Sequence, residues 1–107
     1  MNENGYEVDV TRNIMKIDLF KNELLQGVTN IFKVMAEGSA GDLNEIVTEN
    51  LSHLILTCYM LGNRTGIPYA EIDKQIVKTI QNPETLQKGN PLLAEDLPVF
   101  MEYLRKK

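Results

Sequence analysis

Between Leu43 and Leu61 the chain is apolar at almost every position a helix would turn inward. Leu43, Val47, Leu51, Leu54, Cys58 and Leu61 recur at spacings of three and four, and Ile46, Leu56, Tyr59 and Met60 form a second stripe. Three-and-four spacing marks an amphipathic α-helix. Here two stripes cover much of the circumference. Such a helix needs apolar neighbours on more than one side, from its own bundle or from another subunit.

The flanking segments supply candidate neighbours. Phe20, Leu24, Val28, Ile31 and Met35 repeat with the same period, flanked by Leu25 and Phe32, and Gly38 marks the stop. Glycine takes the left-handed conformation that closes a helix without a Cβ penalty. Asp42 with Glu45 three residues later resembles a capping box at the start of the second helix. Gly66 closes that helix, and Ile67 follows where a residue can fold back over Leu61 or Gly62.

Pro68 suits the first turn of a third helix, whose inward face is Tyr69, Ile72, Ile76 and Ile80, with Asn82-Pro83 as its end. Glu84 to Asn90 is polar and reads as a loop. A last helix is expected from about Leu93 to Arg105, with Leu97, Phe100, Met101 and Leu104 inward. Pro98 is tolerable only in its first turn. Ahead of Ile17 the period is weak, so an extended arm and a helical lead-in both fit. The short connections favour antiparallel neighbours, and the fold class is all-α, an antiparallel helical bundle of about four helices.

Composition narrows the function. At 107 residues the chain suits one domain. A formal net charge of −4 argues against non-specific nucleic-acid binding, which needs a basic surface. No apolar run approaches the length of a membrane span, and Met1 to Gly5 lacks the basic start of a signal peptide. A cytoplasmic protein binding neither nucleic acid nor membrane is expected. With Cys58 as its single cysteine the chain has no internal disulfide. His53 and Cys58, five apart on a helix, are turned about 140° from each other and cannot act as a catalytic pair. Cys58 lies on the leucine stripe and reads as a buried, inert thiol.

Polar residues inside the apolar helices stand out. Gln26 and Asn30 share a face of the first helix, and Asn50 and His53 share a face of the second. Two antiparallel helices can bring these pairs together. The plainer reading is that they are solvent-facing or interface polar residues.

The segments Gln26-Gly27-Val28-Thr29-Asn30-Ile31, Glu49-Asn50-Leu51-Ser52-His53-Leu54-Ile55 and Gly62-Asn63-Arg64-Thr65-Gly66-Ile67 resemble the MazG-like nucleoside triphosphate pyrophosphohydrolases. The run from Ile17 to Ile80 looks like a group of short MazG-like proteins distantly related to those enzymes. The resemblance implies residues 1–16 as an N-terminal arm, 17–82 as the MazG-like helical core, and 83–107 as a loop and C-terminal helix packing on it. It further implies completion of the bundle by dimerisation, since those enzymes form dimers or tetramers. The expected partner is therefore a second copy, with a nucleotide or another protein as further candidates.

The enzymes of this family carry Glu-Glu-x-x-Glu on one helix and Glu-x-x-Asp on the next. Such spacings aim carboxylates at one Mg²⁺, a hard cation that takes oxygen ligands and orients an attacking water on phosphate. Laid on this chain, the first motif falls on Gln26, Gly27 and Asn30 and the second on Asn50 and His53. None of the five is a carboxylate. Neutral amides cannot collect Mg²⁺ as a carboxylate cluster does. The resemblance, read with that departure, implies a non-catalytic module with a degenerate site and no cofactor, acting by protein association or nucleotide binding. The alternative is a divergent Mg²⁺-dependent pyrophosphohydrolase using other carboxylates. Its candidates are Glu23, Glu45 and Glu49, with Glu37, Glu71 and Asp73 further off.

Overall fold

The computed structural model of the chain describes residues 3–38, 43–85 and 91–107. Among the described residues there is helix and no strand, as the spacing predicts. The helices are α1 (Glu3–Glu37), α2 (Leu43–Arg64), α3 (Tyr69–Gln81), the single turn α4 (Pro91–Ala94) and α5 (Leu97–Lys106), with a 3₁₀ turn at Pro83–Thr85. The chain divides into two compact units, residues 1–67 and 68–107.

The first unit is the α1–α2 hairpin. Helix α1 is unbroken from Glu3, so the residues ahead of Ile17 take the helical alternative. Gly38 ends it at φ +53°, its N–H donating to the Val34 carbonyl at 3.2 Å. The Asp42 cap expected for α2 lies outside the described residues. At the far end of α2, Gly66 adopts φ +95°. Its N–H donates to the Asn63 carbonyl at 3.1 Å, and the Ile67 N–H to the Gly62 carbonyl at 2.9 Å. This pair of bonds satisfies carbonyls that the helix itself leaves unpaired.

The seam between the two helices differs in phase from the stripes drawn on the sequence. On α1, Ile17, Phe20, Leu24, Gly27, Ile31 and Val34 turn inward; on α2, Leu43, Val47, Asn50, Leu54, Thr57 and Leu61 do. Val28, Met35 and Leu51, expected inside, are exposed. So is Cys58, which corrects its reading as a buried thiol. The cause is Gly27. With no side chain there, α2 approaches so closely that a Cβ on Gly27 would stand 2.7 Å from Leu54 Cδ2. Close approach at glycine sets the contact line beside it, and neighbouring apolar residues rotate outward. Thr57 then becomes the most buried side chain described, 1% exposed, its hydroxyl donating to the His53 carbonyl at 2.7 Å.

In the second unit α5 packs on α3. Pro68, as N-cap of α3, loses nothing by lacking an N–H, and Asn82 caps the other end. Ile72, Val77 and Ile80 are half-buried, whereas Tyr69 and Ile76, expected inward, are 49% and 37% exposed. The last helix is shorter than the spacing suggests. Proline has no N–H for the carbonyl four residues back and its ring collides with that carbonyl. Pro98 therefore separates α4 from α5, which starts at Leu97 with Asp96 as N-cap. Leu97, Met101 and Leu104 are half-buried, whereas Phe100 is exposed and stacks on Tyr103 with ring centres 5.9 Å apart. Of the expected Glu84–Asn90 loop, Glu84 and Thr85 belong to the 3₁₀ turn, and residues 86–90 lie outside the description.

Candidate functional site

The antiparallel hairpin sets the middle of α1 against the middle of α2, with Glu23 opposite His53 and Gly27 opposite Leu54. All five positions singled out in the sequence fall in this stretch. The four polar side chains among them each have a partner close at hand. Gln26 Nε2 donates to Asn30 Oδ1 at 3.1 Å, one turn along the same helix. Asn50 Nδ2 donates to the Ile46 carbonyl at 3.0 Å, again within its own helix. Gly27 is buried against Leu54 and offers only backbone.

One polar contact in this stretch crosses between the helices. His53 Nε2 lies 2.8 Å from Glu23 Oε2, and both side chains are about half exposed. Glu23 sits a turn ahead of Gln26 and Gly27, too early for the acidic motif of the enzymes. Its four-residue offset from Gly27 nevertheless puts it on the same face of α1. That offset was the available signal, but it becomes meaningful only once the pairing of the helices is known.

The other carboxylates are scattered. Glu45 and Glu49 are exposed on the early turns of α2, and the Glu49 carbonyl accepts the Ser52 hydroxyl at 2.9 Å. Glu37 is exposed at the end of α1. Glu71 and Asp73 belong to α3, where Glu71 pairs with Lys74 at 3.4 Å. Among the described residues, no three His, Cys, Asp or Glu side chains are grouped so as to hold a metal ion.

A hairpin of two long helices with a polar patch at mid-length is compatible with many all-helical proteins. The sequence profile of the MazG-like family matches residues 10–91, more than three-quarters of the chain. The chain belongs to the MazG-like family. No curated protein and no solved structure matches it significantly. Among the described residues no helix is long and apolar enough to cross a membrane.

Family membership directs attention to magnesium, and the donor set of this MazG-like chain does not fit that ion. Mg²⁺ takes oxygen ligands in octahedral geometry, usually carboxylates helped by substrate phosphate. The positions matching the acidic motifs present two amide-bearing helix faces, one glycine and one imidazole. The amide oxygen of Asn30 already accepts from Gln26. Imidazole prefers softer or borderline metals. Its hydrogen bonds satisfy polar groups along the hairpin, and Glu23–His53 joins one helix to the other.

Proposed function

We propose that this chain is a catalytically silent, cytoplasmic MazG-like module that acts by protein association, its first partner being a second copy of itself. The observation that carries the reading is the loss of carboxylates at Gln26, Gly27, Asn30, Asn50 and His53, with the polar side chains closed on near neighbours. A site of that make-up has no means of gathering Mg²⁺ beside a polyphosphate.

Association is supported by the outer surface of the hairpin. Leu25, Val28, Phe32 and Met35 follow three-and-four spacing on α1, and each is between 42% and 69% exposed. Leu51 and Ile55 add exposed apolar surface on α2. An ordered apolar stripe left outside a helical hairpin is the pattern of a face covered by another helix. Sedimentation at micromolar concentration tests it: a dimer or tetramer is expected, and Phe32→Asp should dissociate it. A monomeric wild-type chain overturns the association reading.

A second reading rests on Glu23 beside His53, an exposed carboxylate of α1 in contact with α2. In that reading the chain is a divergent nucleoside triphosphate pyrophosphohydrolase. Pyrophosphate release from a panel of nucleoside triphosphates with Mg²⁺ or Mn²⁺, abolished by Glu23→Gln, would establish it. Calorimetric titration of the same nucleotides with and without Mg²⁺ separates a silent receptor, whose binding ignores the metal, from an enzyme, whose binding requires it.

A further inference from the structure

Helix α5 carries two apolar faces, and one of them packs on α3. Leu97, Met101 and Leu104 are the half-buried set in that unit. Val99 and Tyr103 each stand two residues from Met101, so they are turned about 160° away from it. They are 75% and 56% exposed, and among the described residues only Leu92 equals Val99 as an exposed large apolar side chain. Val99 and Leu92 both lie beyond residue 91, where the match to the MazG-like family ends. The helical core shared with the family gives no reason for them.

The outward stripe runs at each end into a charge. Asp96 precedes Val99 by three residues, Tyr103 follows Val99 by four, and Lys106 follows Tyr103 by three. That spacing lines up all four on one side of the helix. Asp96 keeps the helical register, its backbone being αR and its carbonyl accepting from the Phe100 N–H at 3.2 Å. Its carboxylate makes no capping hydrogen bond, and both Asp96 and Lys106 are exposed. Lys106 stands 3.9 Å from Glu102, a carboxylate that Arg105 also approaches, at 3.6 Å. The helix dipole accounts for acid at the start of a helix and base at its end. It does not account for two exposed apolar side chains aligned between them.

We infer that α5 pairs antiparallel with α5 of a second copy, at a contact separate from the hairpin stripe and not dependent on it. Asp96 and Lys106 are equally far from residue 101 along the chain, and so are Val99 and Tyr103. A two-fold axis at the level of Met101 therefore sets Asp96 against the partner's Lys106 and Val99 against the partner's Tyr103, each contact made twice. The stripe is complementary to itself in that one register. Parallel pairing would set acid against acid and base against base, which repels. Tyr103 is already stacked on Phe100, with 5.9 Å between ring centres, so its ring is placed before the partner arrives. A stretch of roughly three turns makes a small interface, so the pairing is weak by itself. Where the hairpin contact also forms, two different two-fold contacts join dimers into a tetramer.

Sedimentation equilibrium of the full chain carrying Phe32→Asp, which removes the hairpin contact, reads the α5 contact alone at roughly 0.1–1 mM, where a small interface is populated. A reversible dimer is expected. Asp96→Lys or Lys106→Glu, added to that protein, should each weaken the dimer at least fivefold, because each sets like charges together twice. Mixed in equal amounts, the two charge variants should regain it, since each supplies the charge that the other lacks. A damaged fold would not be repaired by mixing, so this recovery separates pairing from loss of structure. Val99→Ser should weaken the dimer without recovery in either mixture. A monomer at every concentration, a dimer that neither charge variant weakens, or a mixture no better than its components overturns the pairing. None of these outcomes touches the hairpin contact, which the chain with Phe32 intact tests at micromolar concentration.

Discussion

His53 Nε2 stands 2.8 Å from Oε2 of Glu23, and this one contact links the polar face of α2 to that of α1. The two side chains are 52% and 56% exposed, so water screens the pair and its worth is small, about 0–1 kcal/mol. Glu23→Gln and His53→Gln should each lower stability by less than about 1 kcal/mol, with a coupling of similar size in a double-mutant cycle. Denaturant unfolding of the four proteins measures it. A loss several times larger would mean that the pair has a role beyond tying the helices.

Gly27 and Leu54 should show a reversal of sign. Alanine is favoured over glycine inside a helix by about 1 kcal/mol, but overpacking costs about 1–3 kcal/mol. The added Cβ would lie 2.7 Å from Leu54 Cδ2 and 3.2 Å from Cγ, so more than the tip of that side chain has to move. Gly27→Ala is therefore expected to destabilise the wild-type hairpin and to stabilise the Leu54→Ala variant. Chemical denaturation of the complete cycle checks both signs.

Stability should rise in alkaline solution through Lys16. Its pKa in the folded chain lies below the ordinary 10.5, chiefly because of Arg64, with burial and Arg12 adding to it. The folded state therefore binds its proton less readily than the unfolded state does. The destabilising effect is fully present below the folded pKa and fades as pH climbs through that value toward 10.5. Melting temperatures of wild type and Lys16→Gln, measured from pH 7 to 10.5, should converge as pH rises. A constant difference would show that Lys16 is not the group responsible.

Cys58 provides a probe of the association face. Its thiol is exposed, on the same side of α2 as Leu51 and Ile55. Labelling by a thiol reagent should be fast in Phe32→Asp and in dilute wild-type protein, and slower in concentrated wild type, where a second copy covers the stripe. Equal rates at all concentrations would place the partner elsewhere.

Several features were readable in the residues alone. Three-and-four spacing predicts helices, and Gly38, Gly66 and Pro68 punctuate the chain where helices stop and start, because glycine reaches positive φ and proline lacks an N–H. Pro98 is tolerable only near a helix start, yet the spacing of Leu93 and Leu97 predicts one helix where there are two. The absence of carboxylates at Gln26, Gly27, Asn30, Asn50 and His53 is likewise a property of the sequence.

The phase of the hairpin was not readable, because both helices are apolar on more than one side. Periodicity tells that Val28 and Ile31 are on a helix; it does not tell which of Leu24 and Leu25, or Leu54 and Leu51, meets the opposite helix. That choice followed from the close approach at Gly27, a contact between residues twenty-seven positions apart in the chain. The same geometry paired Glu23 with His53, buried Thr57, exposed Cys58 and brought the Arg64 carbonyl to Asn13. Local rules act within a few residues, so they specify the helices and their ends, whereas partners across the hairpin are selected by which pair of faces packs most closely.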